Sequence, residues 1–365
     1  MNATTTPAWI EPRPAPVVAV PAWVRWRRTW FATPATTLVS LLLLAAVLVV
    51  GWRFLQWALV HARWSGQSSE ACVGDQGACW AFVIARWKPW LVGAYPADQL
   101  WRAWAGFGLF AAFWGWVVLR PPAAPAGRVL AGFLLLPLAL FALLVGGGPL
   151  PVVVPTRWGG LLLTLVATLT TFATALPLGL LLALGRRSQL PVVRALCAGF
   201  VEAMRSVPLL ALLFVAATLA PMFLPPGWDA GLFVRALAAF ALFNAAMAAE
   251  VFRGGLQTVG RGQYEAATTV GLGPLATLRL VVLPQAITAV VPALVNILIA
   301  VVKETTLLSV IGVSDFLAAV ESGAKSPEWS GEPNILTSGH VFLALVYLCI
   351  CLSLSRQSRR LESRR

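Results

Sequence analysis

Long apolar segments alternate with short polar ones along this chain of 365 residues. A transmembrane helix needs about 20 consecutive apolar residues to cross the hydrocarbon core of a bilayer. Eight segments approach that length, and the fifth is preceded by a semi-polar approach from residue 192. The pattern predicts spans at residues 37–60, 103–119, 129–145, 159–185, 207–224, 231–251, 285–302 and 337–354.

The composition agrees with this pattern. Apolar residues make up 59% of the chain and charged residues 11%, whereas soluble domains average about 45–50% and 25%. That much apolar surface does not fit inside one or two water-soluble cores, so the chain needs lipid as its solvent. In lipid every backbone N–H and C=O must be paired internally, and long unbroken apolar runs favour helices over alternating barrel strands. The predicted fold class is an all-α membrane protein with about eight transmembrane helices.

The net charge of +13 could suggest a nucleic-acid-binding protein, but the basic residues are arranged differently. They form short clusters between apolar spans, without a basic helix interleaved with base-stacking aromatics, so no nucleic acid is expected as a partner. Lys and Arg are enriched in cytoplasmic loops. This rule places both termini in the cytoplasm and the loop 61–102 outside. Residues 1–36 become a cytoplasmic segment before an uncleaved signal anchor, and residues 357–365 a basic cytoplasmic tail.

The five cysteines fall into two groups. Cys72 and Cys79 lie in the polar, Trp-rich outer loop, and the others lie in apolar runs. If that loop faces an oxidising compartment, Cys72 and Cys79 can form a disulfide, and the sequence leaves this open. The two histidines, His61 and His340, have no Cys or carboxylate at a metal-ligand spacing, so no metal site is predicted.

The inside connection at residues 253–283 differs from the other inside segments. It contains six glycines between short helix-compatible stretches, and structured connections longer than about 12–15 residues are usually functional. Glu265-Ala266-Ala267 is followed by Gly271, six residues after the glutamate, and by Leu283-Pro284 at offsets of eighteen and nineteen. These four features at fixed offsets resemble the EAA signature of ABC importer permeases.

The resemblance implies that this loop couples the membrane helices to a separate ATP-binding subunit, present as a dimer. Glu265 is expected in the first turn of a short helix, where its charge favours the helix dipole, and the two alanines let the partner approach closely. Gly271 is expected to permit a turn, and Pro284 to lie in the first turn of the next span. The implied coupling residues are Gly262, Gln263, Glu265, Ala266, Ala267, Gly271, Leu283 and Pro284.

The chain contains no G-x-x-x-x-G-K-[ST] phosphate-binding loop. The resemblance therefore implies that this chain is not an enzyme and binds no cofactor itself, and that ATP and Mg²⁺ bind to the partner ATPase.

A second resemblance, to the polar amino-acid branch of these permeases, covers residues 158 to about 316. One difference is visible at Ser206, where the branch usually has glycine. The resemblance implies a five-helix core of the type I importer permease at 158–356, with three appended helices at 37–157. It is carried by Trp158-Gly159-Gly160, Pro177-Leu178-Gly179, Ala183-Leu184-Gly185-Arg186-Arg187-Ser188, Glu250 with Arg253-Gly254-Gly255, Leu283-Pro284-Gln285-Ala286 and Lys303-Glu304-Thr305-Thr306-Leu307.

The appended spans are similar to the larger permeases of general L-amino-acid importers, which pair two different membrane subunits. The implied partners are a second homologous permease in a heterodimer, a periplasmic amino-acid-binding protein, the amino-acid substrate and membrane lipid. The implied location is the bacterial inner membrane.

Charged residues near the spans are candidates for a substrate pathway or a gate, because an ionisable group inside a bilayer is expensive unless it is paired or hydrated. A zwitterionic amino acid needs a cation for its carboxylate and an acid for its amine. Structural ion pairs explain Glu202 with Arg205, or Glu250 with Arg253, equally well at their three-residue spacing. Lys303 and Glu304 are expected toward the outside. The candidates are Glu202, Arg205, Glu250, Lys303 and Glu304.

Two other classes of function remain as alternatives. A secondary transporter driven by an ion gradient needs broken helices with acidic ion sites near the middle of the membrane, whereas the acids here are expected at span ends. A membrane enzyme needs a convergent set of nucleophile, base or metal ligands, and the sequence shows none.

Overall fold

The computed structural model describes residues 21–74, 77–119, 126–225 and 230–362, and these residues are helical apart from turns and three isolated β-bridges. The chain divides into two compact units, residues 1–62 and 63–365. The appended segment 63–157 therefore packs into the same unit as the predicted core at 158–356, so residue 157 is not a boundary between compact units.

The smaller unit contains two helices, α1 (Ala22–Trp30) and α2 (Pro34–Leu55), and α2 continues through a π-helical turn at Gln56–Val60. Thr33 caps α2, because its hydroxyl accepts the Thr36 backbone N–H while the Thr36 hydroxyl accepts the Thr33 N–H. None of the α2 side chains is buried within the unit. An apolar helix without a covered face is typical of a membrane span, in agreement with the predicted span at 37–60.

The larger unit contains an outer helix, long apolar helices, and short helices at their ends. They are α3 (Trp80–Val92), α4 (Leu100–Leu119), α5 (Ala126–Val145), α6 (Gly160–Gly185), α7 (Pro191–Ser206), α8 (Leu209–Phe214), α9 (Ala220–Phe223), α10 (Leu232–Thr258), α11 (Arg261–Thr269), α12 (Pro274–Thr277), α13 (Leu283–Glu304), α14 (Phe316–Ala324) and α15 (Pro333–Glu362).

Seven helical segments among the described residues are long and apolar enough to cross a membrane, and a bent helix pair raises the number to eight. This confirms the predicted all-α fold with about eight spans. The fifth span differs from the prediction, because α7 and the segment Leu209–Phe223 meet at an angle of 102°. Pro208 disfavours a helical conformation at the preceding residue, and Val207 is extended, with φ −101° and ψ 133°.

The centre of the larger unit is the contact between α6 and α10. At Gly179 the two backbones approach closely: a Cβ atom there would lie 2.7 Å from the Ala248 Cβ and 2.9 Å from the Ala245 carbonyl oxygen. Small residues at such contacts let transmembrane helices gain van der Waals packing without a hydrophobic driving force. The Phe133 ring of α5 packs edge-on against Phe172 of α6 at 5.4 Å, so the appended helices cover another face of α6.

The segment before α3 is fixed to the core at its outer end. Cys72 and Cys79 form a disulfide, and the Cys79 backbone N–H donates to the Ser338 hydroxyl on α15 at 2.7 Å. The Ser69 N–H donates to the Glu328 carbonyl at 2.7 Å. The disulfide closes the segment on itself, and two hydrogen bonds, to α15 and to the loop before it, hold the segment against the core.

Arg102, which the sequence shows only as one more basic residue beside a span, is fully buried in α4. Its Nε donates to the Leu143 carbonyl at 2.6 Å and its Nη1 to the Pro151 carbonyl at 2.9 Å. A cation at the C-terminal end of α5 binds carbonyls that lack a helical partner and complements the helix dipole. Arg102 therefore stabilises the junction between α4 and α5.

Candidate functional site

The predicted coupling motif forms a separate short helix, α11, between the ends of two long helices. Gly271 follows it with a left-handed φ of 83°. The Gly271 N–H donates to the Thr268 carbonyl and the Leu272 N–H to the Ala267 carbonyl, both at 3.0 Å. This is a Schellman ending, which favours glycine because a Cβ atom is strained at positive φ. The turn predicted at Gly271 is therefore present.

The side chains of α11 divide into an exposed and a buried set. Glu265 and Ala266 are exposed, whereas Ala267 is buried against the rest of the chain. The structure places Glu265 fifth in α11, which has no acidic residue in its first turn. The interpretation that Glu265 favours the helix dipole is wrong for this reason. Of the two alanines expected to face a partner, only Ala266 is accessible.

Two polar contacts connect α11 to the membrane helices. The Gln285 side-chain amide of α13 donates to Gln263 Oε1 at 3.0 Å. Arg187, just after α6, donates to the Tyr264 hydroxyl at 3.5 Å. Helix α11 is therefore in contact with α13 and with the segment that follows α6.

The coupling loop is shorter than predicted, because both neighbouring helices extend into it. Helix α10 continues to Thr258, so Arg253 and the glycines after it are helical. On the other side, a continuous helical segment runs over 38 residues from Pro274 to Ile311. The connection proper covers residues 259–273.

Pro284 is the second residue of α13 and lies in its first turn, as predicted, although the helical geometry is already continuous from Pro274. A π-helical turn at Leu278–Val282 precedes it, and the Leu283 N–H donates to the Leu278 carbonyl. A wider turn at this point accommodates a residue that lacks an N–H donor. The helical geometry therefore continues through a proline that the sequence suggested as a helix start.

A cluster of charged side chains lies where α6, α7 and α10 end. Glu250 is the centre of this charge cluster: its carboxylate contacts Arg186, binds Arg253 at 2.8 Å and lies 3.7 Å from Arg205. Glu202 lies 3.4 Å from Arg186. The Glu250 side chain is 19% exposed, so three cations share one half-buried carboxylate.

Of the two pairs that the sequence suggested, Glu250 with Arg253 is present, whereas Glu202 with Arg205 is not. Glu202 contacts Arg186 on another helix instead of Arg205 on its own, and Arg205 contacts Glu250. In the sequence, Arg186 stands out only as part of the Ala183–Ser188 motif. Its contact with Glu250 joins residues 64 positions apart, which a sequence pattern alone does not reveal.

Glu304 lies beside the middle of another long helix. Glu304 is the last residue of α13, and its carboxylate interacts with the Asn244 side chain. Asn244 is buried and occupies position 13 of the 27 residues in α10. Glu304 Oε2 is buried without a hydrogen-bond partner among the described residues. Glu304 therefore lies beside the middle of a candidate span instead of at a span end, and its position toward the outside stays a prediction.

Asp315 is a buried carboxylate outside the spanning helices, at the start of α14. Its Oδ1 accepts the Ala318 N–H at 2.9 Å and caps α14, while Oδ2 has no hydrogen-bond partner within the described part of the chain. Burial is the main cause that raises the pKa of Asp315 to about 7, and the nearby Glu321 carboxylate adds to it.

This pKa predicts a dependence of stability on pH. The folded-state value exceeds the ordinary 3.8, so the folded chain binds more protons than the unfolded chain between these values, and its stability falls as pH rises through that window. We expect Asp315→Asn, which keeps a capping oxygen, to flatten the fall of the thermal unfolding temperature between about pH 5 and pH 7.5. The exposed Asp98→Asn variant is the control. An unchanged slope in Asp315→Asn would contradict the assignment.

Comparison with known proteins places this arrangement in a family. Residues 175–365 match the model of the binding-protein-dependent transport system inner membrane component. The chain belongs to that family. It is a non-catalytic permease subunit of an ABC importer and a multi-pass protein of the inner membrane, and members of its family work with an ATPase and a binding protein.

The permease is similar over nearly its whole length to two curated proteins. It is 39% identical to the inner membrane amino-acid ABC transporter permease protein YhdY of Escherichia coli, over 97% of this chain and 95% of that one. It is 34% identical to the glutamate/glutamine/aspartate/asparagine transport system permease protein BztC of Rhodobacter capsulatus, over 97% and 96%.

A solved structure described as the crystal structure of an amino acid ABC transporter with histidines aligns with 56% of the permease and 92% of that chain, with a TM-score of 0.50 and 28% identity. The family assignment, rather than the depth of its acids, decides against the secondary transporter and the membrane enzyme.

Proposed function

We propose that this permease carries amino acids, with Glu304 and Lys303 as contacts along the pathway. The observation that carries the proposal is the place of Glu304 beside Asn244, about halfway along α10. Both YhdY and BztC are named for amino-acid transport. A carboxylate at this depth suits the ammonium group of a zwitterionic solute.

Lys303 supports the same proposal, because it places a positive charge next to the Glu304 carboxylate in the sequence. It precedes Glu304 in α13 and is exposed on this subunit. An ammonium group facing lipid near the middle of the membrane is expensive, so Lys303 faces an aqueous pathway or a second permease. Adjacent residues of opposite charge then offer one partner to each end of an amino acid.

The ATPase contact is proposed at α11, through Glu265, Ala266 and the polar residues beside them. Its exposed face, together with the contacts from Gln263 to α13 and from Tyr264 to the end of α6, supports this role. ATP and Mg²⁺ are bound by the partner ATPase dimer, and this chain supplies no cofactor site.

The assembly is proposed to contain a second homologous permease in a heterodimer and a periplasmic amino-acid-binding protein, with both termini of this chain in the cytoplasm. The basic residues at the two ends support that orientation. The disulfide of Cys72 with Cys79 supports an oxidising, periplasmic location for the outer loop.

Reconstituted transport tests the proposal. Proteoliposomes containing this permease, its partner permease and ATPase are supplied with the binding protein and labelled glutamate, glutamine or arginine. We expect ATP-dependent uptake. Glu304→Gln should raise KM by about 10- to 150-fold if a charged hydrogen bond of about 1.5–3 kcal/mol is lost.

Glu321→Gln is the matched control, because Glu321 is a half-exposed carboxylate outside the spans that lies 3.7 Å from Lys325. Uptake that persists without the ATPase would instead support an ion-gradient mechanism. An unchanged KM in Glu304→Gln would remove this residue from the pathway.

A further inference from the structure

A cavity of about 290 Å³ lies at the outer end of the larger unit, between α3 and α14. Its lining comprises five residues between positions 86 and 94 of the appended segment, together with Thr156, Trp158 and five residues between positions 314 and 326. Its volume is near the lower limit of small-molecule pockets, roughly 300 Å³. It is distinct from the pathway residues Lys303 and Glu304, neither of which lines it.

Arg86 contributes the positive charge of this outer cavity. Its Nη2 donates to the Ser326 hydroxyl at 2.5 Å and to Glu328 Oε2 at 3.0 Å. These contacts use one of the three guanidinium nitrogens, and a guanidinium offers five donors in a plane that matches a carboxylate. Arg86 therefore retains donor capacity toward a further acceptor.

Two buried tryptophans add neutral donors. Trp90 and Trp158 both line the cavity, each is 1% exposed, and neither indole N–H has a hydrogen-bond partner among the described residues. A Cβ atom at Gly323 would lie 2.9 Å from the Trp90 indole nitrogen, so the glycine, which also lines the cavity, lies directly beside that unpaired N–H. An unsatisfied buried donor costs about 1–3 kcal/mol, which a bound acceptor offsets.

The remaining polar lining residues are hydroxyls, which suit an acceptor ligand as well. Thr156, Ser314 and Ser322 belong to the lining, and no carboxylate does. Glu328, whose side chain is 60% exposed, binds the lining residue Arg86 at 3.0 Å. Hydrogen bonds from its own backbone N–H and from Ser326, with the charge of Arg86, lower the pKa of Glu328. The Glu328 carboxylate of the chain itself therefore already binds Nη2 of Arg86.

We propose that the outer cavity binds the carboxylate group of a small solute, through Arg86 and the Trp90 and Trp158 indole N–H groups. Glu328 competes with that solute for Arg86. The inference rests on the proposed function in one respect: the solute is an amino acid on its way from the binding protein to the pathway. The chemical group that the cavity recognises is the carboxylate of the solute.

Binding of labelled L-glutamate and L-glutamine to the assembled importer in nanodiscs, without its binding protein, tests this inference. The measurement uses the Glu304→Gln background, so that the pathway contact does not contribute. Acetate and inorganic phosphate serve as competitors that separate a carboxylate from another oxyanion. We expect amino acids to bind, acetate to compete weakly, and phosphate not to compete.

Three variants make the expected result specific. Trp90→Phe removes an N–H but keeps an aromatic ring beside Phe82 and Phe342. Trp90→Phe and Arg86→Gln should each weaken binding by about tenfold or more. Glu328→Gln should strengthen binding, because the competing carboxylate is gone. The exposed Arg157→Gln variant is the control and should leave binding unchanged. Thermal unfolding of each variant verifies that it is folded.

Absence of binding to the parent importer would overturn the inference, as would displacement by phosphate. Equal affinities in the parent, Arg86→Gln and Glu328→Gln would overturn it too, because opposite shifts are the signature of a carboxylate site with an internal competitor. Uptake by the complete system distinguishes the two proposals. If ATP-dependent uptake persists while the cavity binds nothing, only the outer cavity fails.

Discussion

Glu265→Lys should abolish uptake by separating the permease from its ATPase, while the chain still folds and inserts. Glu265 is exposed on α11 and has no side-chain partner within the described part of the chain that would be lost. Reversal of a charge at the centre of a protein interface costs about 2–5 kcal/mol, which is roughly 30-fold to several-thousand-fold in affinity. Copurification of the ATPase with the permease and ATP-dependent uptake in proteoliposomes measure the two effects.

Glu70→Lys provides a control of equal charge change, because Glu70 is an exposed carboxylate in the outer segment at Ser69–Cys72. It should leave ATPase association intact. Glu265→Gln should give an intermediate loss, since it removes the charge without reversing it. If Glu265→Lys permits normal association and uptake, α11 is not the coupling helix.

The contacts of α11 indicate why this one position should have a large effect. Gln263 is held by Gln285 of α13, and Tyr264 by Arg187 after α6. If closure of an ATPase dimer moves α11, we expect it to act on α13 and on the end of α6. The proposed contact residues for the ATPase and the residues that bond to the membrane helices therefore belong to one helix of nine residues.

The spans were predictable from the sequence because lipid imposes a requirement on length and polarity that each segment must meet by itself. The coupling motif was predictable because its residues are near one another in the chain. The phase of α11 was not predictable, since it depends on where the helix begins. A start at Arg261 places Glu265 in the second turn and turns Ala267 inward.

Contacts between distant segments account for the remaining differences. Arg186 pairs with Glu250 of α10, and Arg102 binds one carbonyl in the last turn of α5 and one after it. Nothing in the local pattern distinguishes these two residues from basic residues that only set topology. The position of Glu304 beside the middle of α10 was missed for another reason. The predicted span ended at the first charged residue, whereas the structure continues helically from α13 through Thr305–Ile311.

Glu250→Gln should destabilise the permease more than any other single substitution in the charge cluster. Its carboxylate is the shared partner of Arg186, Arg205 and Arg253. Removing it leaves three cations near one another with only Glu202 as a counter-charge. Breaking a buried ion pair by removing one partner costs about 3–5 kcal/mol, so we expect a large fall in thermal unfolding temperature and in the amount of inserted protein.

The double variant Glu250→Gln/Arg186→Gln separates a structural role from a substrate contact. If the charge cluster only holds α6, α7 and α10 together, removing Arg186 as well restores most of the lost stability, because the two changes are coupled. Uptake should then return with stability. A double variant that is as stable as the parent but does not transport would show that Glu250 acts on the solute or the gate. Additive losses of stability would contradict the shared pairing, because independent sites show no coupling energy.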